Sequence, residues 1–211
     1  YLVAELDLPD WVSTWDADGA GDDNRIGVFL AAGVDATAQD FLDAALLDIG
    51  GQVRRDEDSD GDLADPDPGI ASVQVKLYTD PNSDGDPADG ALVAGPVPTD
   101  GSGFYTFTFV TPGHYVVEEL DPGGFVSTGD SDGTANNSFN QVEVDLTGGT
   151  GSFGNDFLDV GQYNIAGRVT NDLNANAIDD GEPPVAGVTV RLFTDPNADG
   201  SPVDGTAAAA D

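Results

Sequence analysis

The sequence predicts an all-β chain, a series of β-sandwich repeats of about 115 residues each. Three observations predict it. Apolar residues recur with a period of two, the period of a strand. Turn-forming pairs and triplets (Pro81-Asn82, Asp89-Gly90, Asp100-Gly101, Pro122-Gly123-Gly124, Gly148-Gly149) separate the alternating runs. The chain also repeats itself. Tyr1 to Asp7 matches Tyr115 to Asp121, Val12-Ser13-Thr14 matches Val126-Ser127-Thr128, and Asp40 to Asp43 matches Asp156 to Asp159. Val73 to Asn82 matches Val188 to Asn197 at the same offset. Residues 1–49 therefore read as the back part of one repeat, 50–163 as a complete repeat, and 164–211 as the front part of a third.

Each element of the complete repeat follows from its pattern. Ile49 to Val53 opens it. Ala71 to Thr79 turns Val73, Val75 and Leu77 inward and Gln74 and Lys76 outward. Gly103 to Val110 aligns Tyr105, Phe107 and Phe109 on one face. Thr111-Pro112-Gly113 is a turn, and His114 to Leu120 is the next strand. Phe139 to Leu146 gathers Val142, Val144 and Leu146, and Gly154 to Leu158 leads out. Asp40 to Leu47 admits a helical turn or two, but its counterpart from Asp156 to Tyr163 contains Gly161 and reads as extended. The result is a sandwich of roughly seven strands.

Composition narrows the function. Forty acidic residues stand against six basic ones, a formal charge of −34 in 211 residues. Nucleic acid and anionic membrane surfaces are poor partners for such a chain. No apolar run reaches the length of a membrane span. There is no cysteine, so no disulfide staples the fold. Tyr1 falls inside an apparent strand with no start methionine, which reads as a processed or windowed piece of a longer protein.

The acids gather in loops ahead of glycines. In Asp56 to Asp67, acids occupy the first, third and fifth places (Asp56, Asp58, Asp60), Gly61 the sixth and Asp67 the twelfth, with Asp62 and Asp65 between. That is the spacing of an EF-hand-type calcium loop, in which alternate residues of a turning chain aim oxygens at one hard cation. Asp67 is shorter than the usual glutamate, and Asp65 is the alternative closing ligand. A solvated acidic turn is the plainer reading. Asp80, Asn82, Asp84, Asp86 and Asp89 form a second loop around Gly85, copied at Asp195, Asn197, Asp199, Gly200 and Asp204. The copy of the first loop holds Asp172, Asn174 and Asn176, then Asp179, Asp180 and Glu182, with fewer charges. A third group pairs Asp130, Asp132, Asn136 and Asn137 with Asp16, Asp18, Asp22, Asp23 and Asn24. There an Asx-rich turn and a metal site stand equally open. The implied cofactor is Ca²⁺.

Taken in order, "GQV", "DEDSDGDLADPDPGI", "VQVKLYTD" and "TDGSGFYTFTFVTPGHYVVEEL", followed by "VGQYNIAGRVTNDLNANAIDDGEPPVAGVTVRLF", resemble the B repeats of the serine–aspartate repeat surface proteins. Those repeats are relatives of the B-type domains of the collagen adhesin. The resemblance implies a calcium-stabilised, prealbumin-like Greek-key sandwich strung in tandem as a stiff cell-surface stalk. It places the calcium ligands at Asp56, Asp58, Asp60 and Asp67, and at Asp172, Asn174, Asn176 and either Asp180 or Glu182. Collagen-adhesin B domains often carry a Lys–Asn isopeptide bond. The one lysine here, Lys76, points outward and its copy is Arg191, so that cross-link is not expected. Asn155 is the partner it would use.

No enzyme is expected. His114 is the sole histidine, and the acids lie in turns rather than across a cleft. Trp11 pairs with Phe125 in the repeat and reads as core or interface; Trp15 pairs with Gly129 and reads as exposed. Two functions of different class follow: a calcium-rigidified repeat of an extracellular filament or stalk, or an adhesin module that binds sugar or matrix protein. The abundance of acid also suits a high-salt environment. The expected partner is the chain itself, as tandem repeats of one longer polypeptide or as a head-to-tail homopolymer. Joined end to end, 164–211 and 1–49 make one repeat short of the segment matching Val97 to His114.

Overall fold

The structure is a computed structural model that describes residues 1–19, 24–133, 136 and 138–207. It divides into two compact units, 1–163 and 164–211. The expected Asp22, Asp23 and Asn137 lie outside the described residues.

In the first unit, β1 (Leu2–Ala4) pairs with β3 (Arg25–Gly27), and β2 (Trp11–Asp16) with β4 (Phe41–Ala45), each as an antiparallel ribbon. The segment from Asp40 to Leu47 is thus extended, not helical. One residue after β4 the chain enters β5 (Leu47–Arg55), which runs unbroken across positions 49 and 50. β5 organises the larger sheet. It pairs antiparallel with β8 (Phe104–Val110) and parallel with β12 (Ser152–Phe153) and β13 (Phe157–Gly161). β13 in turn pairs with β10 (Phe125–Asp130). The second sheet has the order β11 (Gln141–Asp145), β9 (His114–Leu120), β6 (Gln74–Thr79), β7 (Leu92–Pro98).

Alternation puts one face of each sheet into a shared core. Ile49, Val53, Tyr105, Phe107 and Phe157 from the first sheet meet Val75, Leu77, Tyr115, Val117, Val142 and Val144 from the second, with Val73 and Leu146 alongside. Burying side chains of this size contributes about 1.5–3 kcal/mol each. The fold is the all-β sandwich that the period of two predicts.

Four local expectations are corrected. The described residues of 47–161 form nine strands rather than roughly seven. β7 escaped notice because Gly95, Pro96 and Pro98 disguise it; prolines are tolerated there because β7 is an edge strand. Phe109 does not join Tyr105 and Phe107. A bulge opposite β5 turns it outward with φ +61°, and Val110 takes the inward slot. Trp11 is not core: β2 belongs to a two-stranded ribbon, and both Trp11 and Trp15 are exposed. Finally, Val188 to Phe193 repeats the sequence of β6 yet forms no strand in the second unit, where Val188, Val190 and Leu192 are exposed. β6 is held between β7 and β9, and 164–207 contains no counterpart of β9 to pair with it.

Candidate metal centres

The first loop begins where β5 ends. Asp56 is 1% exposed and its carboxylate is the hub of the turn. It accepts the backbone N–H groups of Ser59, Asp60 and Gly61 at 2.6, 3.2 and 3.1 Å. It also accepts the hydroxyl of Thr128, on β10, at 2.7 Å. Burial alone would raise its pKa; Thr128 and the three N–H groups outweigh burial and lower it. Ser59 and Gly61 take left-handed φ values of +65° and +72°, which close the loop. Carboxylate oxygens of Asp56, Asp58 and Asp60 come within 4.8 Å of one another. Burial and the surrounding acids push the Asp58 and Asp65 carboxyls up. Asp62 accepts the Ala64 N–H, and Asp67 accepts that of Glu57 at 3.2 Å. Arg54 ties the far side down by donating to the Leu63 and Asp65 carbonyls at 2.8 and 2.9 Å. The loop thus converges three acids and leaves Asp62, Asp65 and Asp67 around them.

The second loop repeats the device. Asp80, 2% exposed, accepts the N–H groups of Asp84 and Gly85 at 3.3 and 3.0 Å. Asp86 caps a single 3-10 turn, Pro87–Asp89, by accepting the Ala88 N–H. This turn, which the sequence pattern did not reveal, returns Asp89 to Asp80 and Asp84, and the three meet within 4.8 Å. Asn82 donates to Asp84 at 3.0 Å. Gly85 packs against Asn136, where an added Cβ would lie 2.8 Å from the asparagine Cβ.

Both loops recur in the second unit. Asp195 accepts the Asp199 and Gly200 N–H groups, Asn197 donates to Asp199, and Asp195, Asp199 and Asp204 converge within 4.8 Å. Asp172 accepts the Asn176 and Ala177 N–H groups, while the Asn174 and Asn176 amides both donate to Asp180 at 3.3 Å. Glu182 accepts the Leu173 N–H at 2.7 Å, the bond that Asp67 makes to Glu57. Asp179 is drawn off by Arg168 at 2.7 Å. The third group behaves as a turn around two acids. Asp16 accepts the Asp18 and Gly19 N–H groups, and Asp132 accepts that of Glu143. Asn24 is not part of it; its amide reaches Asp7 at 2.7 Å. Asp130 is buried with neither oxygen hydrogen-bonded, and burial followed by the charge of Asp132 raises it to about 7.

The structure also assembles acids that loop spacing did not single out. Glu119, Asp121 and Asp159 bring oxygens within 4.8 Å of one another, as do Glu5, Asp7 and Asp43 at the matching positions of 1–49. The signal was present: Tyr115 and Val117 face inward on β9, so the next inward position is Glu119. Burial, then Asp159 and Asp121, raise Glu119 to about 9; burial foremost raises Asp159 to about 6.

Lys76 and Asn155 are engaged elsewhere. The Lys76 ammonium donates to Glu118 at 3.1 Å, and the Asn155 amide donates to the Gly50 and Ser152 carbonyls. His114 lies 3.9 Å from Asp145 across the β9–β11 pair.

The model of the SdrD B-like domain matches residues 47–161, the span from the start of β5 to the end of β13. Serine-aspartate repeat-containing protein F of Staphylococcus epidermidis is 30% identical over 189 residues, 84% of this chain and 10% of that protein. Serine-aspartate repeat-containing protein D of Staphylococcus aureus is 31% identical over 157 residues, 72% of this chain and 11% of that protein. The chain thus spans about a tenth of the length of these relatives. Among solved structures, the shaft pilin SpaA of Lactobacillus rhamnosus GG aligns over 56% of this chain and 52% of its own, at 12% identity and TM-score 0.39. The major pilin SpaD of Corynebacterium diphtheriae aligns over 55% of this chain and 30% of its own, at 15% identity and TM-score 0.35.

Proposed function

From the premise that this chain belongs to the SdrD B-like domain family, we propose that it is a structural repeat of an extracellular, cell-surface stalk or filament, rigidified by calcium and joined end to end with like repeats. The observation that carries the reading is the recurrence of one loop design. At Asp56, Asp80, Asp172 and Asp195 a first carboxylate ties down the N–H groups of residues four and five places on, and further oxygens follow at alternate places. An acidic turn needs no such repetition, whereas a ligand for one hard cation does. The ion would be held by Asp56, Asp58 and Asp60, by Asp80, Asp84 and Asp89, and by Asp195, Asp199 and Asp204. Its chemistry is charge neutralisation: it replaces the repulsion among crowded carboxylates with a shared attraction.

Joining end to end is supported by the one-residue passage from β4 into β5. The reading is of a structural module, not an enzyme. The test is thermal unfolding in calcium and in EDTA. A site saturated about 100-fold above its Kd adds about 2.7 kcal/mol, roughly 5–10 °C of Tm for a chain of this size. Superimposable melting curves would sink the calcium reading. An adhesive role is the second reading, favoured by the exposed Trp11 and Trp15 on β2. Unchanged sugar or matrix binding after both are replaced by alanine would remove it.

A further inference from the structure

We propose that Glu119, Asp121 and Asp159 form a calcium site built into the sandwich itself, separate from the loops, with Ser127 and Asn140 completing its wall, and that Glu5, Asp7, Asp43 and Ser13 form its copy. Three elements build the first site: Glu119 lies on β9, Ser127 on β10, and Asp159 on β13. Asp121 follows β9 directly. Glu119 is 1% exposed and Asp159 fully buried, and their oxygens and those of Asp121 come within 4.8 Å of one another. Ligands at 2.3–2.6 Å from one Ca²⁺ stand at most about 5 Å apart, so the three fit a single ion of that radius.

The hydrogen bonding favours a cation as the partner of these acids. Neither oxygen of Glu119 has a hydrogen-bond partner, and one oxygen of Asp159 has none. Only one hydroxyl serves the group. Ser127 Oγ lies 2.9 Å from Asp121 and 3.1 Å from Asp159, and also contacts Asn140 Oδ1. A serine has one proton to donate, and here three acceptors crowd around it. The ion pairs among the described residues, Arg54–Asp156, Lys76–Glu118, His114–Asp145 and Arg168–Asp179, leave this cluster without a basic side chain. Buried carboxylates without donors or counter-charge are costly, and a hard cation with an all-oxygen shell removes that cost.

The second copy is an independent instance. Ser13 Oγ lies 3.2 and 3.0 Å from the carboxylates of Asp7 and Asp43, as Ser127 Oγ lies close to those of Asp121 and Asp159. The serine and aspartate are cross-strand partners in both: Ser13 with Asp43, Ser127 with Asp159, each beside the same bulge. Glu5 accepts no bond at one buried oxygen, and its N–H reaches the Asn24 carbonyl as that of Glu119 reaches Asn140.

The test counts calcium bound to the full chain by native mass spectrometry and equilibrium dialysis, with calcium chloride alone as ligand. One variant carries Glu119→Gln and Asp159→Asn. A second keeps those acids and silences the loops with Asp56→Asn, Asp80→Asn, Asp172→Asn and Asp195→Asn. The first should bind one ion fewer than the parent, and adding Glu5→Gln and Asp43→Asn should remove another. The loop-silenced chain should retain both. A folded first variant that binds as many ions as the parent overturns this inference and leaves the loop reading standing. A loop-silenced chain that binds no calcium overturns it too, even where the first variant fails to fold. Loss of no ion in the loop-silenced chain overturns the loop reading alone.

Discussion

The loop at Asp56 and its copy at Asp172 share a backbone but not a setting. In both, the flanking residues close the same ring around an isolated bridge: Arg55 N–H to Pro68 and Ile70 N–H to Val53 in one, Asn171 N–H to Pro183 and Val185 N–H to Val169 in the other. In both, the first acid holds the turn and the last acid, Asp67 or Glu182, holds the second residue's N–H. The settings differ. Asp56 is enclosed and takes the Thr128 hydroxyl from a strand 72 residues away, whereas Asp172 is exposed and bonds only within its own loop. Asp80 and Asp195 show the same contrast, buried in one and exposed in the other. Loop conformation is therefore a local property of Asx residues and left-handed positions. Insulation from water, which strengthens a cation site, comes from the sandwich around it.

The largest test of that contrast is to remove the first acid of each loop. Asp56→Ala strips the partner from Thr128 and from three backbone N–H groups in a buried place, at a cost of about 2–4 kcal/mol without calcium. Asp172→Ala loses two exposed bonds and should cost less than about 1 kcal/mol. Hydrogen exchange of β5 and β10, set against exchange over 169–185, reads the two effects separately. Equal losses of protection would mean that enclosure by β10 adds nothing.

The second test uses protons. Glu119 at about 9, Asp130 at about 7 and Asp159 at about 6 all stand above their ordinary values of 4.5, 3.8 and 3.8. Between the ordinary and the native values the folded chain binds more protons than the unfolded one, so stability falls as pH rises. In calcium-free buffer the first unit should be most stable near pH 4 and lose stability as pH rises, most steeply up to about pH 6, less steeply to about 7 and least to about 9, where the loss ends. Acids with lowered values act oppositely: Asp56 and Asp145 in the first unit, and Asp179 beside Arg168 in the second, lose their contribution as pH falls below about 4. The alkaline loss should therefore be confined to 1–163. A Tm that stays level from pH 5 to 9 without calcium would show that these acids are not held as described.

The same division explains what was legible in the sequence. The period of two placed Val73, Val75, Leu77, Val142, Val144 and Leu146 correctly, because alternation is a local record of which face is buried. The spacing of acids before Gly61, Gly85 and Gly200 located the three convergent loops, because a turn brings near neighbours together. Phe109 was misread because a bulge depends on the partner strand. Glu119 and Asp159 do not stand out as a cluster in the sequence because they stand on β9 and β13, 40 residues apart, and topology alone brings them together. An acid at an inward strand position was the trace they left.

The smallest and sharpest test lies at the sixth place of the two loops, where Gly61 has φ +72° and Ala177 has φ +59°. The copied loop thus forces a side chain into the left-handed region, at a cost of about 1–2 kcal/mol. Ala177→Gly removes that strain. It also widens the unfolded ensemble, which takes back about 0.4–1 kcal/mol. The net expectation is a local gain of about 0.5–1 kcal/mol. Nothing else is altered, since Ala177 is exposed and its N–H still reaches Asp172 at 2.8 Å. The reverse change, Gly61→Ala, should be worse than the strain alone, because its methyl would lie 3.2 Å from the Thr128 carbonyl oxygen. Hydrogen exchange at residues 176–178 and calcium affinity of the second unit measure the gain. Slower exchange with tighter binding supports a shared loop conformation that the copy holds under strain. Exchange that is unchanged or faster would mean that the turn at Asp172 is not held in the shape of the turn at Asp56.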